Sequence, residues 1–300
     1  MSEPKTAEQR VLDDSAWSDF CDALKEAGQL VEAELAPQNA FDRAEGYRYL
    51  SRMLRAGLES FLEAGDPLFP ELRCPAHETI KLGADNPDNH YQTASIDPNH
   101  DYRITGTRGT VDYLGFGTRI ERIGAEQERP APLTPEKLDR ALQGAVQFMR
   151  NTTGLFEDWA ESFLPTVNQV APADQAFCQA IGGDPNIYYF HSSWELAEDE
   201  ALLIHAPEVP ACQTWNFVLQ NWWMESLDYR YHQIHFNKHT ARYEADGSVV
   251  IVVAHRKPPQ ANWVETAGHQ RGTLCWRWIG ASEHPPVQAR VVKFSELDSV

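Results

Sequence analysis

Early in the chain, apolar side chains recur every three or four positions. Trp17, Phe20, Leu24, Ala27 and Val31 mark one face of a helix over residues 14–35, with Asp13, Asp14 or Ser15 as its cap and Ala36-Pro37 as its stop. Tyr47, Leu50, Leu54, Leu58 and Phe61 make a second stripe over residues 39–64, ended by Gly65-Asp66-Pro67. The two helices predict a hairpin. From Pro75 the segments shorten. His90–Ile96, Tyr102–Thr107 and Val111–Phe116 are rich in β-branched and aromatic residues and separated by turn residues, which predicts a β-meander. Helix returns over residues 134–150, with Thr134 as cap, Pro135 at the first position, and Leu138, Leu142, Ala145 and Met149 on one face. Residues 151–181 suggest short helices ended by Gly182-Gly183.

After Asn186 strands dominate: Ile187–Glu195, Ala201–His205, Gln213–Gln220, Thr240–Glu244, Ser248–His255, Thr273–Ile279 and Val287–Phe294. Asp246-Gly247 between two of them is a hairpin turn signal. The expected fold class is α+β: an N-terminal helical hairpin plus an antiparallel β-sandwich or jelly-roll-like core with inserted helices. The expected regions are a helical 1–74, a β-meander with inserted helices over 75–183, and an antiparallel β domain over 184–300, packed as one unit. Only the first ten or so residues, Met1 to Arg10, read as lacking fixed structure.

Charge narrows the partners. The formal net charge of −18 repels phosphate backbones and anionic membranes, so neither nucleic acid nor membrane is an expected partner. The surplus is uneven: residues 1–90 carry 9 basic against 18 acidic groups, whereas residues 230–300 carry 9 against 6 and six of the 11 histidines. A locally cationic, His-rich segment can hold a polar or anionic group; equally, it can neutralise an acidic neighbour. No apolar stretch follows the polar N-terminus, and the run Val249 to Ala254 is too short to span a bilayer, so a soluble cytoplasmic protein is expected. Five widely spaced cysteines with no CxxC pair argue for reduced thiols.

Two blocks carry a resemblance. One runs through Ala84-Asp85-Asn86-Pro87-Asp88-Asn89, Tyr91, Ala94, Ile96-Asp97, Tyr102-Arg103-Ile104 and Gly106. The other runs through Glu225-Ser226-Leu227-Asp228-Tyr229, Asp246-Gly247-Ser248, Asn262-Trp263, Gly268-His269, Gly272 and Arg277-Trp278. Together they resemble the bacterial domain-of-unknown-function family 1214. The resemblance implies a jelly-roll-like C-terminal domain, and, by likeness to neighbours of aromatic and steroid breakdown pathways, a small aromatic or polycyclic substrate.

Candidate chemistry concentrates in two stretches. The run Asp228 to His239 holds Tyr229, Arg230, His232 and His235. As a helix it would align histidines for a metal; as an extended run, which its position between strands favours, His232 and His235 point to opposite faces and chelate nothing together. Then His232 beside Arg230 makes an acid–base unit, with Tyr229 or Arg230 steadying an oxyanion. The second stretch sets Asn262 to orient a carbonyl, Trp263 to stack on a ring and His269 to move a proton, with Arg277 behind them. The bland alternatives are cross-strand ladders in the first stretch and a barrel plug in the second. Tyr91, Arg103 and Trp222 are further candidates for lining a pocket, with Arg103 placed to pair with Asp88 or Asp97. Seven of nine tryptophans lie from Trp194 onward; any one of them is most simply core, but the group also suits a flat ligand.

No P-loop, dinucleotide fingerprint, nucleophile elbow or kinase set is present, so no cofactor and no metal are expected. The reading is a cofactor-independent lyase or isomerase on a hydrophobic aromatic molecule, for example releasing a small aldehyde from a lignin-derived dimer. The catalytic candidates are His232, His269, Tyr229 and Arg230; the substrate-binding candidates are Asn262, Trp263, Tyr91, Arg103, Trp222 and Arg277. The alternatives are a non-catalytic ligand-binding or assembly protein, and a metal-dependent hydrolase. Exposed sheet edges offer a route to homo-oligomers.

Overall fold

The structure, a computed structural model, describes residues 4–111, 113–117 and 134–299. The chain divides into two compact units, one of Met1–Ile80 with His90–Leu155, the other of Lys81–Asn89 with Phe156–Val300. Among the described residues no helix is long and apolar enough to cross a membrane.

The first unit is helical. Helix α1 (Ala7–Leu12) forms where no structure was expected, because Thr6 and Gln9 close a reciprocal capping box. Helix α2 spans Ser15–Ala27 and tightens into a 3-10 turn over Gly28–Glu32; α3 spans Ala40–Leu58, with Asn39 accepting from the Asp42 amide. Helix α4 runs Pro135–Ser162, past the expected end at residue 150. Its Asn151-Thr152-Thr153-Gly154 stretch is poor helix sequence, yet burial of Thr153 and Ala160 on either side holds it. The buried face of α3 is Tyr49, Leu50, Met53 and Ala56, turned partly from the expected stripe: Leu50 is shared, Leu54 and Leu58 are half-buried, and Tyr47 is exposed. Gly57 explains the turn: a Cβ there would lie 2.9 Å from the Ala145 carbonyl oxygen, so the two backbones meet at this glycine and its neighbours are buried. Phe20, Leu142 and Val146 fill the space between, flanked by Leu24, Leu54, Leu58 and Leu138.

The expected β-meander does not form. Over residues 90–117 the described chain has no strand, only the single bridge Arg73↔Thr93. Ile104, Val111, Leu114 and Phe116 are exposed, so the alternating pattern finds no face to bury; Asp112 lies outside the described residues.

The second unit is the expected antiparallel sandwich, built as two open sheets. Strands β1 (Ala171–Pro172), β2 (Ile187–Glu195), β8 (Arg271–Ile279), β4 (Thr214–Gln220) and β5 (His235–Asn237) make a five-stranded sheet in the order β1-β2-β8-β4-β5. Strands β7 (Trp263–Glu265), β6 (Val249–Ala254), β3 (Glu200–Ala206) and β9 (Gln288–Lys293) make the other, in the order β7-β6-β3-β9, with β7 parallel to β6. The short helix α5 (Gln175–Ala180) precedes β2. Residues 240–244 form no strand, contrary to expectation. Between the sheets lie Phe190, Trp215, Phe217, Leu219, Trp276 and Trp278 from one and Leu202, Ile204, Ile251 and Val253 from the other. Trp215 stacks on Trp276 at 4.7 Å, and Trp278 meets Trp276 edge-on at 5.1 Å. These tryptophans are core.

Candidate functional site

In the five-stranded sheet the residues opposite the core are polar and buried. The registers are unbroken, so cross-strand partners share a face. One row reads Tyr189, Arg277, Asn216, Asn237; the next reads His191, Cys275, Val218, His235; a third reads Ser193, Thr273, Gln220. An outer sheet face of this composition would ordinarily meet water. Here Arg277, Asn216, His191, Ser193, Thr273 and Gln220 are all buried. The roof comes from the end of α4, where Trp159 lies 4.9 Å and Phe163 5.3 Å from the His191 ring, and from the segment Lys81–Asn89.

That segment is pinned by charge. The Lys81 ammonium donates to the carbonyls of Ser226 (2.8 Å) and Leu227 (2.7 Å) and sits 4.5 Å over the Tyr229 ring. Asp85 accepts from the Ser226 amide (2.9 Å) and hydroxyl (2.7 Å). Burial pushes the Asp85 carboxyl up, against the pull of Lys81 and these hydrogen bonds. Arg277 donates to Asn216 Oδ1 at 3.2 Å and to the Ala84 carbonyl. Ala84 has φ 59° and faces Met224, with φ 55°, through a 2.8 Å backbone bond. Two non-glycine residues held in the left-handed region cost roughly 1–2 kcal/mol each and persist only where the surroundings impose them.

Asp88 closes the network. It accepts from Asn237 Nδ2 (2.8 Å) and Asn216 Nδ2 (3.2 Å), and its Oδ1 lies 3.5 Å from His235 Nε2. Burial works to raise the Asp88 carboxyl, but His235 and the two amides outweigh it and hold it below the usual range. The other nitrogen of His235, Nδ1, is buried and has no partner among the described residues; the same is true of His191 Nδ1. Burial first, and then the Arg277 charge, depresses His191 to about 3, so its imidazole is neutral. Cys275, whose Sγ is 3.8 Å from His191 Nε2, is pushed up to about 11 by burial, and Cys178 to about 12. These thiols stay protonated, which disfavours a cysteine–histidine nucleophile.

The structure distributes the sequence candidates widely. Arg277 belongs to the buried face. Tyr229 lies beneath Lys81 and packs against the sandwich core. Arg230 grips Asp228 through two bonds of 2.9 and 2.8 Å and is partly exposed. His232 pairs with Glu265 at 2.9 Å beside β7; residues 229–231 are a turn and His232 a bend, and the extended run expected is confined to β5. Asn262 spends its amide on the Arg242 amide and the carbonyls of Arg242 and Val250. Trp263 donates to the Ala254 carbonyl and packs on the outer side of the four-stranded sheet. His269 is buried in a turn after Thr266. Trp222 is buried under the Arg271 guanidinium at 4.4 Å. Tyr91 and Arg103 are in the first unit, and Arg103 is exposed. Asp88 meets His235 and two asparagines rather than the Arg103 expected of it.

The three hydrogen bonds of Asn262 fix the 240s turns to β6. Asn262→Ala should therefore cost about 2 kcal/mol, from buried groups left unpaired, read as a lower urea midpoint with an unchanged slope.

His191, Asn216, His235 and Asp88 were not singled out as site residues from sequence. The signal was present as polar residues alternating with tryptophan and phenylalanine on β2, β4 and β8. Among the described residues no three His, Cys, Asp or Glu side chains are grouped to hold a metal ion.

A family model described as a protein of unknown function (DUF1214) matches residues 195–283, from the end of β2 to just past β8. No curated protein matches the chain. A crystal structure of an uncharacterized protein from Burkholderia cenocepacia is 40% identical, covers 97% of this chain and 100% of its own, and superposes with a TM-score of 0.85. A Vibrio parahaemolyticus protein matches 54% of this chain and 47% of its own at 14% identity, with a TM-score of 0.32, too low to argue from. The chain belongs to the DUF1214 family.

Proposed function

We propose that this protein is a cofactor-independent enzyme that performs general acid–base chemistry on a small aromatic molecule at the buried polar face of the five-stranded sheet. The observation that carries the reading is the unpartnered Nδ1 of His235, on an imidazole backed by Asp88 and linked through Asn216 to Arg277. His235 is the base and Arg277 the oxyanion-stabilising charge. Strands β5 and β8 are two strand spacings apart, about 10 Å, a span that suits a two-ring substrate. Trp159, Phe163 and Tyr189 supply ring walls near His191.

The finer reading is a lyase. His235 takes the proton of a substrate hydroxyl. The O–H electron pair becomes the carbonyl of a departing aldehyde. The broken C–C pair forms a double bond as the neighbouring C–O bond opens, and the released phenoxide takes the proton back. These roles move from His232 and His269 to His235 because the buried network converges there.

The test is incubation with lignin-derived aromatic dimers and steroids, followed by mass spectrometry of the products. His235→Ala should lower turnover by about 10²–10⁴-fold, and His232→Ala should leave it. A compound retained but chemically unchanged would instead favour a binding protein, and a panel neither bound nor changed would end the proposal.

A further inference from the structure

The hydrogen bonds around Asp88 determine which nitrogen of His235 carries the proton. Asn216 receives Arg277 at its Oδ1, so its amide nitrogen must be the atom facing Asp88. Asn237 receives the His239 and Thr240 backbone amides at its Oδ1 (2.9 and 3.1 Å), so its nitrogen also faces Asp88. Neither amide can be reversed without setting oxygen against oxygen or donor against donor. Asp88 is thus surrounded by donors and, among the described residues, has no acceptor to which a carboxyl proton could point. It serves as an ionised acceptor, and the remaining donor within reach is His235 Nε2.

We infer that His235 is locked as the Nε2–H tautomer and turns a bare Nδ1 lone pair toward its ligand, so the group recognised there is a hydrogen-bond donor, a phenolic or alcoholic hydroxyl, and not a ketone, ether or carboxylate. Nδ1 is buried and meets no donor among the described residues, and an acceptor so placed is completed by a ligand that brings a proton. The His235 side chain as a whole is 22% exposed, although Nδ1 itself is buried. The inference deepens the proposed function and rests on the same site, naming the substrate class as hydroxyl-bearing. Asn216 and Asn237 are positioning residues in this arrangement: they act on the ligand only through Asp88 and His235.

The experiment uses full-length protein labelled with ¹⁵N-histidine, read by long-range proton–nitrogen correlation at pH 7.5, with the His235 signals assigned by their loss in His235→Gln. The expected spectrum has Nε2 protonated and Nδ1 unprotonated. Titration with phenol should shift Nδ1 saturably, whereas anisole, of similar shape but without the donor, should leave it in place. In Asp88→Asn the tautomers should mix and the phenol response weaken. A protonated Nδ1 in the wild-type protein, or equal responses to phenol and anisole, overturns the inference. Loss of the enzymatic reading alone looks different: the tautomer and the phenol shift persist while no compound in the panel is turned over.

Discussion

Urea unfolding repeated from pH 7.5 to pH 4.5 should show stability falling by about 1.4 kcal/mol for each pH unit below 6.5 on account of one residue, His191. Its folded pKa is about 3, set first by burial and then by the Arg277 charge, against an ordinary value of 6.5. Between these values the unfolded chain binds a proton that the folded chain refuses. The stability is therefore fully present above pH 6.5 and drains away as pH falls, levelling off only near the folded value, after a total loss of about 4–5 kcal/mol. Carboxylates add their own dependence at the acid end, so the informative quantity is the difference from His191→Phe. That variant keeps a ring between Phe163 and Tyr189, where His191 stacks at 5.3 and 6.1 Å, and it removes a buried nitrogen that has no partner. Its stability at pH 7.5 should match or exceed the wild type, and its slope between pH 6.5 and 4.5 should be smaller by about one proton. Parallel curves for the two proteins would contradict the buried, neutral imidazole.

Gly272→Ala should destabilise the second unit by about 3 kcal/mol or more. A Cβ at this position would lie 2.2 Å from the Gln220 carbonyl oxygen, 2.9 Å from Trp194 Nε1 and 3.0 Å from the Asn221 carbonyl carbon. Two of the three neighbours are backbone of the adjoining chain and cannot rotate away. Trp194 also donates to the Gln220 carbonyl at 3.1 Å, so relief of the clash breaks a buried hydrogen bond. The position is the second residue of β8, the strand that carries Thr273, Cys275 and Arg277 into the polar face. Thermal unfolding followed by tryptophan fluorescence measures the loss. Gly247→Ala is the control: φ there is 86°, so it bears backbone strain, but a Cβ meets nothing within 4 Å. A loss at Gly272 no larger than at Gly247 would contradict the close approach as the source of the cost.

The sheet residues were readable in sequence for a simple reason. Ile187–Glu195 and Thr273–Ile279 are dense in aromatic and β-branched side chains, and the strands form within a residue or two of the expected bounds. The same reasoning failed over residues 90–117, where the alternation is present but no second sheet lies ready to bury it. Nor do the sequence candidates converge in the folded chain. His232, Asn262 and His269 stand in the more specific part of the family pattern or beside aromatic residues, but in the folded chain the first is ion-paired and partly exposed and the second is occupied with backbone. Asp88 lay inside a quoted block and was expected to pair with Arg103. Its anchors are instead Asn216 and Asn237, with His235 beside it.

Local sequence determined the main helices of the first unit and the long strands of the second, and the period of two determined which residues share a face, because both depend on neighbours a few positions away. In the observed registers that period sets Tyr189, His191, Asn216, Gln220, Thr273 and Arg277 opposite the tryptophans. Only the tertiary structure decided that this polar face is covered, since the roof comes from Lys81–Asn89 and the end of α4, far off in the chain. Burial is a property of what packs on a surface, and it is burial that depresses His191, leaves Nδ1 of His235 unpartnered and gives the charge on Arg277 its reach.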